Sequence, residues 1–166
     1  MTTIQRKAAP QQRGSGQTRR RRLLVLVLSS ALVAAACGSG ESSDPVSVVV
    51  PGAESWTETG IDLSIDDAVL IEAEGAVTPK TDTESRVGPD GVPDRPSAQQ
   101  FNVEGLEDAN HASLIGRIGE TGAPFLVGSG LATTADTEGR LLLGINDTGV
   151  DNNAGEFTAT ITVNPS

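Results

Sequence analysis

The stretch LLLGINDTGVDNNAGEFTATITV, residues 141–163, holds an apolar run, an oxygen-rich loop and a strict alternation. In its last eight residues Phe157, Ala159, Ile161 and Val163 alternate with Glu156, Thr158, Thr160 and Thr162. Successive side chains of a strand point to opposite faces, so this segment reads as a half-buried strand with a polar outer surface. The run Leu141–Ile145 reads as a second strand. Between them Asn146, Asp147, Asp151, Asn152 and Asn153 concentrate oxygen side chains. Hard oxygens of this kind suit Ca²⁺, which takes six to eight of them. The same residue types also build ordinary hairpin turns, because Asn, Asp and Gly tolerate turn backbones. The spacing is not that of an EF-hand: counting from Asp147, the sixth loop position is Asn152 rather than Gly, and no helical pattern flanks it.

Short apolar runs separated by turn residues continue upstream. VSVVV (46–50), GIDLSI (60–65), AVLIEAEGAV (68–77), LIGRIG (114–119), APFLVG (123–128) and RLLLGI (140–145) all read as strands. Val69, Ile71 and Ala73 share one face of the third, with Glu72 and Glu74 on the other. No window sustains a helical period with caps. Seven or eight short strands predict an all-β domain, a small antiparallel β-sandwich of two sheets over 46–166. The segment 78–110 carries four prolines and almost no apolar pattern. It is a long excursion between strands, and excursions of this length are functional or disordered.

Charge is distributed unevenly along the 166 residues. Seven basic residues precede position 23, and no acid precedes Glu41. From Cys37 onward Lys80, Arg86, Arg95, Arg117 and Arg140 face all 22 acids, a formal −17. Phosphates are gripped by clustered Lys and Arg, so nucleic-acid binding by this body is excluded. One His and one Cys rule out an internal disulfide and any metal site built from several His or Cys of one chain.

The N-terminus reads as a targeting segment, 1–36. A basic flank leads into LLVLVLSSALVAAA (23–36), 14 uncharged residues. That is short of the roughly 20 needed to span a bilayer and fits the apolar core of an export signal. Ala34-Ala35-Ala36 is followed by Cys37 and then by GSGESSDP (38–45), so that 37–45 reads as a lipidated Cys and a flexible tether. The Ala-Ala-Ala-Cys junction resembles a bacterial lipobox. The resemblance implies that the thiol of Cys37 receives a diacylglycerol and the new amino group an acyl chain such as palmitate. It implies a lipoprotein on the bacterial cell membrane, exported and facing outward. A plain secretory signal cut near Ala36, or an uncleaved anchor, are the alternatives. Arg19–Arg22 also resemble a twin-arginine export signal, which a generic basic flank explains equally.

The body resembles the calcium-dependent galactophilic lectins of bacteria and their lectin-like relatives. The likeness rests on Trp56 with Thr59-Gly60-Ile61, the strand Ala68–Gly75, the turn Gly88-Pro89-Asp90-Gly91, the strand Leu114–Gly119, and above all Asn146, Asp147, Asn152, Asn153, Gly155 and Phe157. It implies a jelly-roll sandwich with one Ca²⁺ at its edge, held by the side chains of Asp147, Asn152 and Asn153 and by backbone carbonyls near Pro79 and Gly149. It further implies that two vicinal hydroxyls of a galactose-like sugar complete the coordination. Three departures stand out. Asp147 and Asn152 are closer in sequence than in the family pattern, Pro79 replaces an aromatic, and 92–110 shows no counterpart of the family's sugar-contacting His and Gln. The competing expectation is therefore a calcium-stabilised structural or protein-interaction module without sugar.

Other features carry less. Asp90 and Asp94 read as a solvated turn, His111 as a loop or strand-edge residue, and Trp56 as core in preference to a sugar platform. Ser129 lacks the strand–elbow–helix context of a hydrolase nucleophile. Nothing assembles nucleophile, base and oxyanion donors, so a binding protein is expected rather than an enzyme.

Overall fold

A computed structural model describes residues 43–79, 86–94 and 96–166. The targeting segment, Cys37 and most of the tether lie outside them. Eight strands follow in order: β1 (Val46–Pro51), β2 (Trp56–Leu63), β3 (Ala68–Thr78), β4 (Leu114–Ile118), β5 (Phe125–Leu126), β6 (Gly130–Thr134), β7 (Gly139–Ile145) and β8 (Ala154–Val163). They form two four-stranded antiparallel sheets, β1-β8-β3-β6 and β2-β7-β4-β5. Consecutive strands thus fall mostly in different sheets, the double-sheet jelly-roll arrangement.

The alternation of β8 is used as expected. Phe157, Ala159 and Ile161 are buried and face the second sheet. Across the β3–β8 ladder Ile71 pairs with Ile161 and Ala73 with Ala159, and Val50 of β1 pairs with Phe157. Leu141, Leu143 and Ile145 of β7 and Leu114 of β4 face them from the other sheet, all without solvent exposure. Fully burying each of these large apolar side chains contributes about 1.5–3 kcal/mol.

Several local expectations shift. β2 begins four residues earlier than the alternation suggests, at Trp56, and stops at Leu63. Its pairing with β7 slips between Glu58 and Asp62, where Gly60 has φ +79°. Ile65 consequently leaves the strand and is exposed in the following turn. The expected strand over 123–128 shrinks to two residues. β6 has no counterpart among the expected strands. It is an edge strand with four of five residues exposed, so no apolar alternation marks it.

Trp56 lies over Gly144, its cross-strand partner, where a β-carbon would run into the Ser55 carbonyl and press on the indole at 3.0 Å. The Arg117 guanidinium sits 4.2 Å from the ring centroid. Trp56 therefore packs on the sheet surface, half-buried, instead of entering the core. Toward the other end of the β2–β7 ladder Arg140 donates two hydrogen bonds to the Asp62 carboxylate, at 2.6 and 2.9 Å, which lowers the Asp62 pKa.

The excursion contains no strand among its described residues. It is pinned by two isolated bridges, Val77 to Val87 and Val92 to His111, and holds a 3₁₀ helix at Pro96–Phe101. Asp90 staples the Gly-Pro-Asp-Gly turn to the β5–β6 turn by accepting a hydrogen bond from Ser129 N at 2.7 Å. That is a structural use of the carboxylate.

Candidate functional site

Loops at one pole of the sandwich bring the oxygen-rich residues together. Asn146 and Asp147 follow β7. A short 3₁₀ turn, Val150–Asn152, carries the chain over to Asn153 and β8. Thr78 pairs with Ala154, so Pro79 leaves β3 on the same pole, opposite Asn153.

The two Asn neighbours of the loop do different work. Asn146 is fully buried and acts as a clamp. Its Oδ1 accepts from Val103 N at 2.9 Å, and its amide donates to the carbonyls of Leu106 and Asn110 at 3.3 and 3.2 Å. This ties the excursion to the end of β7. Asn153, 7% exposed, donates to the Gly52 carbonyl at 3.1 Å, while its Oδ1 is buried with no hydrogen-bond partner. A buried oxygen without a donor is costly, on the order of 1–3 kcal/mol, unless something outside the chain meets it.

Asp147 is 5% exposed. Its Oδ1 accepts from Gly149 N at 2.7 Å, closing the turn. Its Oδ2 lies 3.7 Å from His111 Nε2. The other imidazole nitrogen, Nδ1, is 2.9 Å from Asn102 Oδ1. Asn102 directs its amide to the carbonyls of Leu106, Glu107 and Ala109, so its oxygen is the acceptor and His111 Nδ1 the donor.

Asn152 is exposed and flanks Gly149. A β-carbon built on Gly149 would lie 3.4 Å from Asp147 Oδ1 and 4.0 Å from the Asn152 amide. Asp147, Asn152 and Gly149 therefore adjoin one another, with Asn153 next in the chain and Pro79 across the ladder. Asp151 is exposed beside them. Among the described residues no cluster of three or more His, Cys, Asp or Glu exists that could hold a metal. A cation here would depend on amide and carbonyl oxygens as well as one carboxylate, the donor set of Ca²⁺ rather than Zn²⁺.

Asn102 and His111 are the residues the sequence did not point to. Both are buried polar groups inside the excursion. Nothing in the local pattern of 96–111 distinguishes them from solvated loop residues, because their partners are distant or irregular backbone.

The eight-stranded arrangement has a solved counterpart. The N-terminal domain of EclA, described as a PllA-like lectin, matches with a TM-score of 0.55. The fold is lectin-like. The match spans 70% of this chain and 94% of that one at 24% identity. No family model and no curated protein matches. The lectin-like fold thus stands on three-dimensional arrangement, at an identity too low to transfer residue roles.

Proposed function

We propose that this chain is an exported lipoprotein whose sandwich binds a carbohydrate through a Ca²⁺ ion at the pole described above. One observation carries the reading: Asn153 Oδ1, buried and without a donor, sits in the same loop as the buried Asp147 carboxylate on a lectin-like fold. A cation bound between them would satisfy both oxygens. Asp147, Asn152 and Asn153 would hold it with side chains, and the backbone near Pro79 and Gly149 would complete the protein ligands. Bound there, Ca²⁺ supplies positive charge and open coordination places that favour a pair of adjacent sugar hydroxyls.

The chain's own residues prepare this surface. Asn146 and Asn102 immobilise the excursion, and Gly149 N fixes the rotamer of Asp147. Ordering these groups before ligand arrives lowers the entropic cost of binding.

The geometry also suits display from a membrane. Ser43 N donates to the Val163 carbonyl at 3.0 Å, so the tether joins the domain at the end of β8 farthest from Asn153. Ten extended residues separate the two ends, roughly 30 Å. An anchor upstream of Ser43 would leave the proposed site at the opposite end of the domain.

Calorimetric titration with CaCl₂, followed by glycan-array binding with calcium and with chelator, tests the proposal. Calcium uptake by the wild type, its loss in Asp147→Ala, and glycan binding only with calcium are expected. Equal heats from both proteins, or no glycan binding under either condition, would overturn it.

A further inference from the structure

Four aromatic residues occupy this chain, and three are at least partly covered: Trp56 on the sheet surface, Phe125 between the sheets and Phe157 in the core. Phe101 alone is exposed, at 50%. A single exposed apolar side chain is ordinary on a protein surface. Its position is what distinguishes this one.

Phe101 closes the 3₁₀ helix Pro96–Phe101. Its carbonyl accepts two hydrogen bonds from Thr148, from the backbone N at 2.7 Å and from Oγ1 at 3.0 Å. Thr148 directly follows Asp147. The ring leans on His111, centroids 6.4 Å apart and planes tilted by 56°. His111 in turn meets the Asp147 carboxylate at 3.7 Å. Backbone and ring are thus each fixed to a neighbour of Asp147, while half of the residue stays open to solvent. The hydrophobic effect favours covering such a ring, and the clamp prevents the chain from doing so itself. A polar cavity of about 220 Å³ borders His111 as well, lined among others by Asp94, Gln99 and Asp108.

Resting on the carbohydrate reading above, we infer that Phe101 is the sugar-selecting wall of the site. A pyranoside that offers a vicinal hydroxyl pair to the cation at Asp147 lays its patch of ring C–H groups against the Phe101 face. The electron-rich face of an aromatic ring attracts polarised C–H bonds, and the contact removes apolar surface from water on both partners. This selects cyclic sugars with contiguous C–H groups over open-chain polyols carrying the same diol. It also assigns to the excursion the role of completing the site from outside the Asp147–Asn153 loop.

The test uses the full chain in a detergent without a sugar headgroup. Wild type, Phe101→Ala and Phe101→Trp are titrated with CaCl₂ alone. They are then titrated, in excess CaCl₂, with methyl β-galactopyranoside, methyl α-mannopyranoside and the open-chain galactitol. The wild type is expected to bind at least one pyranoside and to prefer it to galactitol. Phe101→Ala should weaken that binding about tenfold, consistent with loss of one aromatic contact and its buried area. Phe101→Trp should retain it, and all three proteins should bind CaCl₂ alike. If Phe101→Ala matches a sugar-binding wild type, or loses calcium affinity in parallel, the assignment to Phe101 falls and the carbohydrate reading stands. If the wild type binds calcium but neither pyranoside, both fall.

Discussion

His111 Nε2 and Asp147 Oδ2 stand 3.7 Å apart, and both side chains are more than nine-tenths buried. Asn102 occupies the other imidazole nitrogen, so the pair is oriented from behind. The carboxylate itself accepts from Gly149 N at 2.7 Å through its other oxygen. Each member of the pair is thus also held by a further partner, His111 by Asn102 and Asp147 by Gly149 N.

Asp147→Asn therefore separates the two roles. The amide keeps an oxygen for Gly149 N and removes the buried charge. In chelator its melting temperature should stay within a few degrees of wild type, by the usual scale of about 3–5 °C per kcal/mol for a domain this size. Calcium should raise the melting temperature of the wild type and leave the variant unmoved. Differential scanning calorimetry reads both. A persistent calcium-dependent rise in the variant places the ion elsewhere.

Asn102→Ala removes the His111 acceptor and three bonds that close the excursion on itself. The carbonyls of Leu106, Glu107 and Ala109 then lack their donor and the buried imidazole lacks its acceptor, a cost of about 2–4 kcal/mol together. A fall in melting temperature on the order of 10 °C is expected, measured by circular dichroism. Hydrogen exchange should quicken in 102–111 while the β3–β8 ladder stays protected.

Asp67 gives the fold a dependence on acid. Its pKa is lowered first by the Asn164 amide and then by the Ser64 backbone N–H, donors at 3.0 and 2.7 Å. The native state thus favours the carboxylate. Its contribution is complete above the ordinary Asp value of about 3.9 and is lost as pH falls through the lower native one. Asp67→Asn should be less stable than wild type at neutral pH, and urea melts should converge as pH falls through the lowered native pKa.

Gly75 lies in the middle of the longest ladder with φ +99°, and a β-carbon there would come within 2.6 Å of the Glu156 carbonyl. Neither the backbone nor the neighbour strand can relax without breaking the β3–β8 register. Gly75→Ala should cost about 2 kcal/mol or more. A variant with unchanged urea midpoint would contradict that geometry.

Cys37→Ser tests the anchor separately from the domain. Detergent partitioning and incorporation of labelled palmitate should move the wild type to the membrane fraction and leave the variant unlabelled. Two acyl signals hold a protein firmly, whereas loss of the acceptor leaves none. Equal labelling of both would remove the lipobox reading.

The fold was legible where one strand buries one face. Phe157, Ala159 and Ile161 announce β8 because inward positions are apolar and outward ones are Thr. β6 was not legible, since an exposed edge strand needs no alternation and takes its identity from pairing with β3. Trp56 misled in a different way: its bulk suggested the core, but Gly144 opposite it makes room for the indole on the outer surface. The oxygen-rich loop 146–153 could be read from residue type alone. Its division of labour could not, because Asn146 and Asn153 are chemically identical and differ only in what surrounds them.

Residue order alone determined the all-β body and the oxygen-rich loop 146–153, since these depend on composition and on periods short enough to be written in neighbouring residues. The tertiary structure decided that Asn102, Phe101 and His111 converge on Asp147, some 36 to 46 positions away. Such meetings depend on chain closure across two sheets, and a linear pattern carries no record of which distant backbone a polar side chain will face.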